Sequence, residues 1–220
     1  MNLSEKEMES IKVIEKAFAL YGNDQAIAFT GGKDSLTVLH LVKRFCNGTV
    51  PLPVINIDTT VKFPEIYEFR DRIASEWSLN LKIISDADAA KSIAISKNKA
   101  ECCRRLKVDV LKRAIVDNHY KAIMTGVRWD EQDARATEEY FVTKENPDHV
   151  RVNPILHFTE ADIWEYIEKY DLPYCTLYDQ GYRSLGCVPC TIKSTTGSER
   201  DGRSPEKEEI MGQLRSLGYF

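Results

Sequence analysis

Two groups of residues in this sequence have the types and spacing to do chemistry. One is the turn Thr30-Gly31-Gly32-Lys33-Asp34-Ser35; the other is a set of six cysteines, four of which fall in two tight pairs. In the turn, two adjacent glycines let the backbone curl so that several N–H groups face one point. If the turn opens a helix, the helix N-terminus adds partial positive charge, and phosphate is the anion that fits. Ser35 offers a hydroxyl and Lys33 a mobile cation for phosphate oxygens, while Asp34 either caps the helix or helps hold a magnesium ion. The spacing is neither G-x-x-x-x-G-K-[ST] nor G-x-G-x-x-G, so on these residues alone a tight turn with a capping Asp is the competing reading.

The cysteine pairs are Cys102-Cys103 and Cys187-x-x-Cys190, with Cys46 and Cys175 left over. Two pairs of this kind read as metal or redox chemistry, with zinc and an iron–sulfur cluster as the candidates. Neighbouring side chains on a helix point about 100° apart, which is awkward for tetrahedral zinc and easier for the larger 4Fe–4S cube. The competing reading is reduced cysteines buried as small hydrophobes, and Cys46, on a helix near a core face, fits it well.

These residues need a scaffold, and the apolar pattern predicts one. A helix begins near Ser4, which has capping-box spacing to Glu7, and places Met8, Ile11, Ile14 and Phe18 on one face until Gly22. Ala26 to Phe29 reads as a buried strand that enters the glycine turn, and Leu36, Leu39 and Val42 mark the helix after it. Strands at 54–58, 81–84 and 122–126 alternate with helices at 64–77, 88–96 and 103–118. That alternation predicts an α/β fold with an open, mostly parallel sheet covered by helices on both faces. Beyond Gly126 the rhythm breaks into a charged loop, Val127 to Ala136, and irregular strands from Tyr140 to Pro154. A capped helix follows from Thr159 to Tyr170, then a stretch rich in Gly, Ser, Thr and Cys, then a last helix from Pro205 to Ser216. Residues 1–160 are expected to form the nucleotide domain, with 161–220 a helical, cysteine-containing extension packed on it.

The chain has 220 residues and a formal net charge of −4, enough to bury a core without disulfides and a poor electrostatic trap for nucleic acid. A local cluster, Arg104, Arg105, Lys107, Lys112 and Arg113, is either a solvated helix face or an anion site. No apolar run approaches the ~20 residues needed to span a bilayer, and the polar start, Met1 to Glu9, is unlike a signal or transit peptide. A cytoplasmic location with no membrane contact is therefore expected, and in that reducing setting a disulfide framework is not.

Phe29-Thr30-Gly31-Gly32-Lys33-Asp34-Ser35 resembles the PP-loop of the ATP pyrophosphatases. The segment Pro53 to Arg72, the run Ser198-Glu199-Arg200-Asp201-Gly202-Arg203 and the ending Gly218-Tyr219-Phe220 resemble the small, adenylyl-transferring subunit of sulfate adenylyltransferase. Together they identify the chain as a member of the phosphoadenosine-phosphosulfate reductase and sulfate adenylyltransferase superfamily, with an adenine nucleotide alpha hydrolase-like fold. The resemblance implies that Mg-ATP lies on Thr30 to Ser35, with Asp58 at the end of the second strand nearby. Gly126 to Ala136 is similar to the family's G-x-R-x-D-E-x-x-x-R-A segment, which implies Gly126 in nucleotide binding and Arg128 and Arg135 in the same cleft. Lys33, Asp34, Arg128 and Arg135 are then the expected catalytic set.

Cys102-Cys103-x-x-x-Lys107 and Gly181 to Thr191 resemble the cluster-bearing adenylyl-sulfate reductases, which implies a 4Fe–4S cluster on Cys102, Cys103, Cys187 and Cys190. Those reductases attack with a tail cysteine, and no cysteine follows Cys190 here. Several functions stay open. The first is an adenylylating enzyme that releases pyrophosphate from ATP onto sulfate or another acceptor. The second is a sulfonucleotide reductase in which Cys175 or a partner's thiol replaces the tail cysteine. The third is ATP-dependent sulfur insertion into nucleic acid, and a non-enzymatic sensing module is a fourth. The expected ligands are a nucleotide and a small sulfur-containing substrate. A GTPase subunit, a thiol reductant or a cysteine desulfurase is the expected partner class, and a homodimer is left open.

Overall fold

Helix α1 (Leu3–Tyr21) starts two residues earlier than the Ser4 cap predicts. Asn2 is the cap: its side chain accepts the Glu5 N–H at 2.9 Å, and the Glu5 carboxylate takes the Asn2 N–H at 2.8 Å. The buried face carries Val13, Ile14 and Ala17 together with Glu7 and Ser10, whereas Met8, predicted inward, is exposed. The inward stripe is partly polar, because Glu7 meets Arg44, Lys169 and Tyr170 from two other helices. The structure is a computed structural model that describes residues 1–131, 135–194, 197–216 and 218.

The remaining elements alternate as expected through the first half. They are β1 (Gln25–Ala28), α2 (Lys33–Phe45), β2 (Val54–Ile57), α3 (Pro64–Glu76), β3 (Leu81–Ile84), α4 (Ala87–Ser92), α5 (Lys99–Cys103), α6 (Asp109–Asn118) and β4 (Ala122–Met124). Two helix boundaries differ from the prediction. Helix α4 stops at Ser92, and the next helix starts at Lys99 because the Asn98 side chain caps it through the Glu101 N–H at 3.0 Å. Between α5 and α6 the backbone widens into one π-helical stretch, Arg104–Val108. The charged loop after Gly126 contains a 3-10 turn, Trp129–Glu131, while Gln132, Asp133 and Ala134 lie outside the described residues. The irregular strands are a regular antiparallel pair, β5 (Phe141–Lys144) and β6 (His149–Val152). Helix α7 (Glu160–Lys169) has a Thr159 cap, and the last helix is two short ones, α8 (Pro205–Glu209) and α9 (Met211–Ser216).

The sheet order is β3-β2-β1-β4-β6-β5, parallel except for β5. Strand β1 pairs with β2 on one side and β4 on the other, so the direction of winding reverses between β1 and β4. A crevice opens beyond the carboxyl ends of strands at such a reversal, and ligands of open α/β sheets bind there.

Alternate residues of β1 serve opposite faces. Ile27 joins the main core with Leu36, Leu39, Ile14 and Tyr166, beneath α1, α2 and α7, while Ala26 packs with Leu111, Ile115 and Tyr120 beneath α6. Each fully buried Leu or Ile contributes about 1.5–3 kcal/mol relative to exposure, so this double cover is what fixes the sheet and the turn leaving it. Among the described residues no helix is long and apolar enough to cross a membrane.

Candidate nucleotide site and cysteine pocket

The glycine turn lies where the fold requires a ligand site, between the end of β1 and the start of α2, facing the end of β4. Gly31 has φ +86°, and a Cβ there would stand 2.8 Å from the Ile66 side chain, so only glycine fits without displacement. Gly126, just past β4, is as tightly approached, and by backbone: its Cβ would meet the Asp34 carbonyl carbon at 2.8 Å and the Ser35 nitrogen at 2.9 Å. The turn is tied by hydroxyls. Ser35 Oγ donates to the Gly32 carbonyl at 2.9 Å and accepts the Thr30 N–H at 3.2 Å, while Thr30 Oγ1 accepts the Gly32 N–H at 3.3 Å.

A cavity of about 210 Å³ opens on this turn, and Thr30, Gly32, Asp34, Ser35 and Gly126 line it. One wall is apolar, with Phe29, Ile57, Val108, Leu111 and Val127. Cations gather around the rest: Lys62, Lys107, Arg135, Arg200 and Arg203. Burial lowers the Lys62 ammonium to about 8, with Lys107 pushing the same way.

Lys33 and Arg128 are absent from this lining. Lys33, expected as a mobile cation, is 1 % exposed, and its Nζ donates to Glu199 and to the Arg183 carbonyl at 3.1 Å. Arg128 is fully buried, with Nε on Asp34 at 2.7 Å and its other nitrogens on Asp130 and Glu199. Both expected phosphate ligands are thus held behind the turn by carboxylates, since a buried cation must be paired. Burial alone would discharge Lys33, but Asp34, Tyr178 and Glu199 outweigh it and hold its pKa above the usual range. Burial and the nearby Asp34 push the Glu199 carboxyl up despite its two cations. Asp34 is not the helix cap, because Gly32 occupies that position and Asp34 turns to Arg128.

Asp58 lies at the end of β2 but outside the cavity lining, where it accepts from the Thr60 N–H at 2.8 Å and the Tyr67 hydroxyl at 2.9 Å. Arg135 lines the cavity beside Glu131, to which it is ion-paired. Cys175, the expected stand-in nucleophile, belongs to the main core at 1 % exposure, does not line the cavity, and has its thiol pKa raised by burial. That placement removes it as an attacking group.

The four paired cysteines share a second pocket beside the first, and Cys46 is not among its lining. Cys102 and Cys103 end α5, while Cys187 precedes and Cys190 ends a 3-10 turn, Val188–Cys190. The second pair is pinned to the chain after β2 by the Val188 N–H on the Val61 carbonyl at 2.8 Å. Thr59 Oγ1 sits 3.2 Å from Cys187 Sγ. Burial raises the Cys187 pKa, but Lys107, Thr59, Lys207 and Lys62 outweigh it and bring it down to about 7. Among the described residues no three His, Cys, Asp or Glu side chains converge on a single-ion site. Four thiols around one pocket with lysines beside them are a soft, sulfur-only donor set, which suits an iron–sulfur cluster. The gap between the side chains is about 10 Å³, so the donor set and not the volume carries that fit. Cys187 and Lys107 line both pockets.

The model of the phosphoadenosine phosphosulfate reductase domain matches residues 24–193. The chain belongs to that family. An adenosine 5'-phosphosulfate reductase from Salinibacter ruber is 29% identical to it over 206 residues, covering 90% of this chain and 80% of that protein. A sulfate adenylyltransferase subunit 2 from a Methylobacterium strain is 32% identical over 249 residues, covering 100% of this chain and 79% of that protein. Among solved structures, a phosphoadenylyl-sulfate reductase from Candida auris in a phosphate complex superposes with a TM-score of 0.69. It is 24% identical and covers 82% of this chain and 88% of that one, a likeness of fold.

In this phosphoadenosine phosphosulfate reductase family chain, the region from Tyr178 to Arg203 supplies residues that the sequence leaves without a role. Glu199, Arg200 and Arg203 sit in the Ser198–Arg203 run, whose dense alternating charge and family resemblance mark the segment but not what each residue does. No local pattern in the sequence says what Tyr178 does: its hydroxyl meets the Lys33 N–H at 2.9 Å from a position 145 residues away.

Proposed function

We propose that this chain is an ATP-using enzyme of sulfur metabolism that cleaves ATP between the α and β phosphates and adenylylates sulfate or a related acceptor. The observation that supports it is one cavity at the sheet's reversal point, with the glycine turn on one side and Lys62, Lys107, Arg135, Arg200 and Arg203 on the others. An adenine ring suits the apolar wall of Ile57, Val108 and Leu111, leaving the phosphates against the hydroxyl-tied turn and the positive end of α2. An acceptor oxygen bonds to the α phosphorus as the bridge to the β phosphorus breaks, and pyrophosphate leaves with the electron pair. Arginines Arg135, Arg200 and Arg203 stabilise the charge that develops on the phosphates and hold an oxyanion acceptor. Lys33, Asp34, Arg128 and Glu199 form the buried ion network that holds the turn in place. Magnesium bound with the triphosphate supplies further neutralisation. We place a 4Fe–4S cluster on Cys102, Cys103, Cys187 and Cys190, where it supplies redox or electrostatic chemistry next to the nucleotide.

A sulfonucleotide reductase is the second reading, favoured by Cys187 lining both pockets. It requires a thiol from another chain or from a cofactor, since Cys175 is enclosed. Anaerobically prepared protein, assayed for iron and sulfide, is given Mg-ATP with and without sulfate. Sulfate-stimulated pyrophosphate release is expected. No release with any acceptor would sink the adenylylation reading; sulfite formed in a parallel assay, with either sulfonucleotide and a dithiol as reductant in place of ATP, would replace it with the reductase.

A further inference from the structure

Tyr178 is placed with unusual constraint for a residue in an irregular segment. Its ring stands 5.1 Å from Trp164 of α7 at 88°, and Tyr174 packs at right angles on the same tryptophan, 5.3 Å away. Edge-to-face contacts of this kind fix a ring's position and leave its hydroxyl to be aimed. That hydroxyl accepts the Lys33 N–H at 2.9 Å, the first N–H of helix α2, and a Cβ built on Gly32 would lie 3.4 Å from it. The same ring lies 5.3 Å from the Lys33 ammonium, so the residue touches both the backbone and the side chain of the turn lysine.

A phenol both accepts and donates one hydrogen bond. Among the described residues the Tyr178 hydroxyl only accepts, from Lys33, and no acceptor lies within reach of its own hydrogen. A half-buried donor left without an acceptor is unfavourable unless a ligand or water completes it. Tyr178 lines the cavity alongside Asp34, Ser35 and Gly32. Burial keeps the phenol protonated, its pKa pushed well above the usual value in spite of the nearby Lys33.

We propose that the Tyr178 hydroxyl is a phosphate ligand of the glycine turn, accepting the Lys33 N–H and donating its own hydrogen to a phosphate oxygen of the bound nucleotide. The proposal rests on the nucleotide-binding reading above and adds a residue to it. It makes the extension beyond residue 160 part of the phosphate cradle, and explains why Trp164 and Tyr174 brace an irregular segment. Because the hydroxyl touches phosphate and not base or sugar, its loss falls on the charged part of the ligand.

The test is equilibrium binding of Mg-ATP, adenosine 5'-phosphosulfate and adenosine to the anaerobic full chain and to Tyr178→Phe, with Tyr174→Phe as control. Tyr174 shares the aromatic cluster, but its hydroxyl bonds Asp179 at 3.1 Å on the surface. Tyr178→Phe is expected to weaken Mg-ATP about tenfold, the size of one hydrogen bond to a charged group, and to leave adenosine unchanged. Tyr174→Phe is expected to match wild type for all three ligands. Equal Mg-ATP affinity in wild type and Tyr178→Phe overturns the proposal and leaves the nucleotide reading standing. A parallel loss of adenosine binding also overturns it, because that result assigns Tyr178 to packing alone. Failure of the wild-type chain to bind either nucleotide removes both the nucleotide reading and the role of Tyr178.

Discussion

Helix α2 meets a polar cluster at each end, each built around a buried carboxylate, Glu199 or Glu7. At its first turn Lys33 and Asp34 join Arg128 and Glu199; toward its last turn His40 and Arg44 join Glu7, Tyr166, Lys169 and Tyr170. Both clusters shift pKa values. Burial pushes the Glu7 carboxyl up, but hydrogen bonds from Lys169, Tyr170 and Arg44 outweigh it and hold it below the usual range. Burial, helped by Arg44 and Lys43, lowers His40 to about 4. By perturbation alone the two ends are indistinguishable. What separates them is the cavity, the close approach of Gly126 to the turn, and a tyrosine hydroxyl with a hydrogen to donate, all at the first end. At the far end the rings of Trp77, Tyr166 and Tyr170 pack around His40, and none of that cluster lines the cavity. Buried charge marks a site only where an opening lets a ligand complete it.

The comparison breaks if both ends respond alike to mutation. The largest effect is expected from Glu199→Ala, which strips the shared carboxylate from Lys33 and Arg128. Leaving buried cations short of a partner costs about 3 kcal/mol, read as a fall in unfolding free energy, and Mg-ATP affinity should fall with it. Glu7→Ala removes three hydrogen bonds and should cost about 2 kcal/mol in the same unfolding measurement while leaving Mg-ATP affinity unchanged. An affinity loss there would erase the distinction between the two ends. Gly126→Ala forces a methyl against the backbone of Asp34 and Ser35, costing about 1–2 kcal/mol and weakening Mg-ATP disproportionately, as titration calorimetry would show.

The smallest effect is a pH dependence at the far end. The folded His40 ring, facing Tyr166, Tyr170, Trp77, Arg44, Lys43 and Glu7, refuses a proton until about pH 4, whereas the unfolded ring takes one near its ordinary value of 6.5. The unfolded chain therefore binds more protons in that window, and stability falls as pH drops from about 6.5 to 4. His40→Gln should flatten that slope in urea melts. It should not abolish it, because His149 and His157 are shifted in the same direction. An unchanged slope would mean that the His40 ring is not shielded from protonation by its neighbours.

Much of the scaffold is legible from residue pattern. The run from Ala26 to the glycine pair reads as strand then turn because apolar β-run, glycines and amphipathic helix follow each other directly, and β1, the turn and α2 lie there. The four paired cysteines were also legible, since their spacing survives folding into one pocket. Three features were not. Lys33 looks mobile in the sequence, yet its partner Glu199 lies 166 residues away, and no local pattern encodes such a pairing. Arg128 follows β4 as a cleft arginine should, but the carboxylates of Asp34, Asp130 and Glu199 draw it inward. The cap of α1 fell on Asn2 because Ser4 and Glu7 have the same spacing as Asn2 and Glu5, and only the buried role of Glu7 decides between them. Local periodicity reports elements, and long-range charge pairing decides which of their residues face a ligand.

The central claim is that the turn holds ATP for cleavage between its α and β phosphates. The most direct measurement is the position of the broken bond, read by separating the products of labelled Mg-ATP after incubation with the anaerobic protein and sulfate. Adenylyl product with pyrophosphate is the predicted result. ADP with orthophosphate, or ATP left untouched, would contradict it.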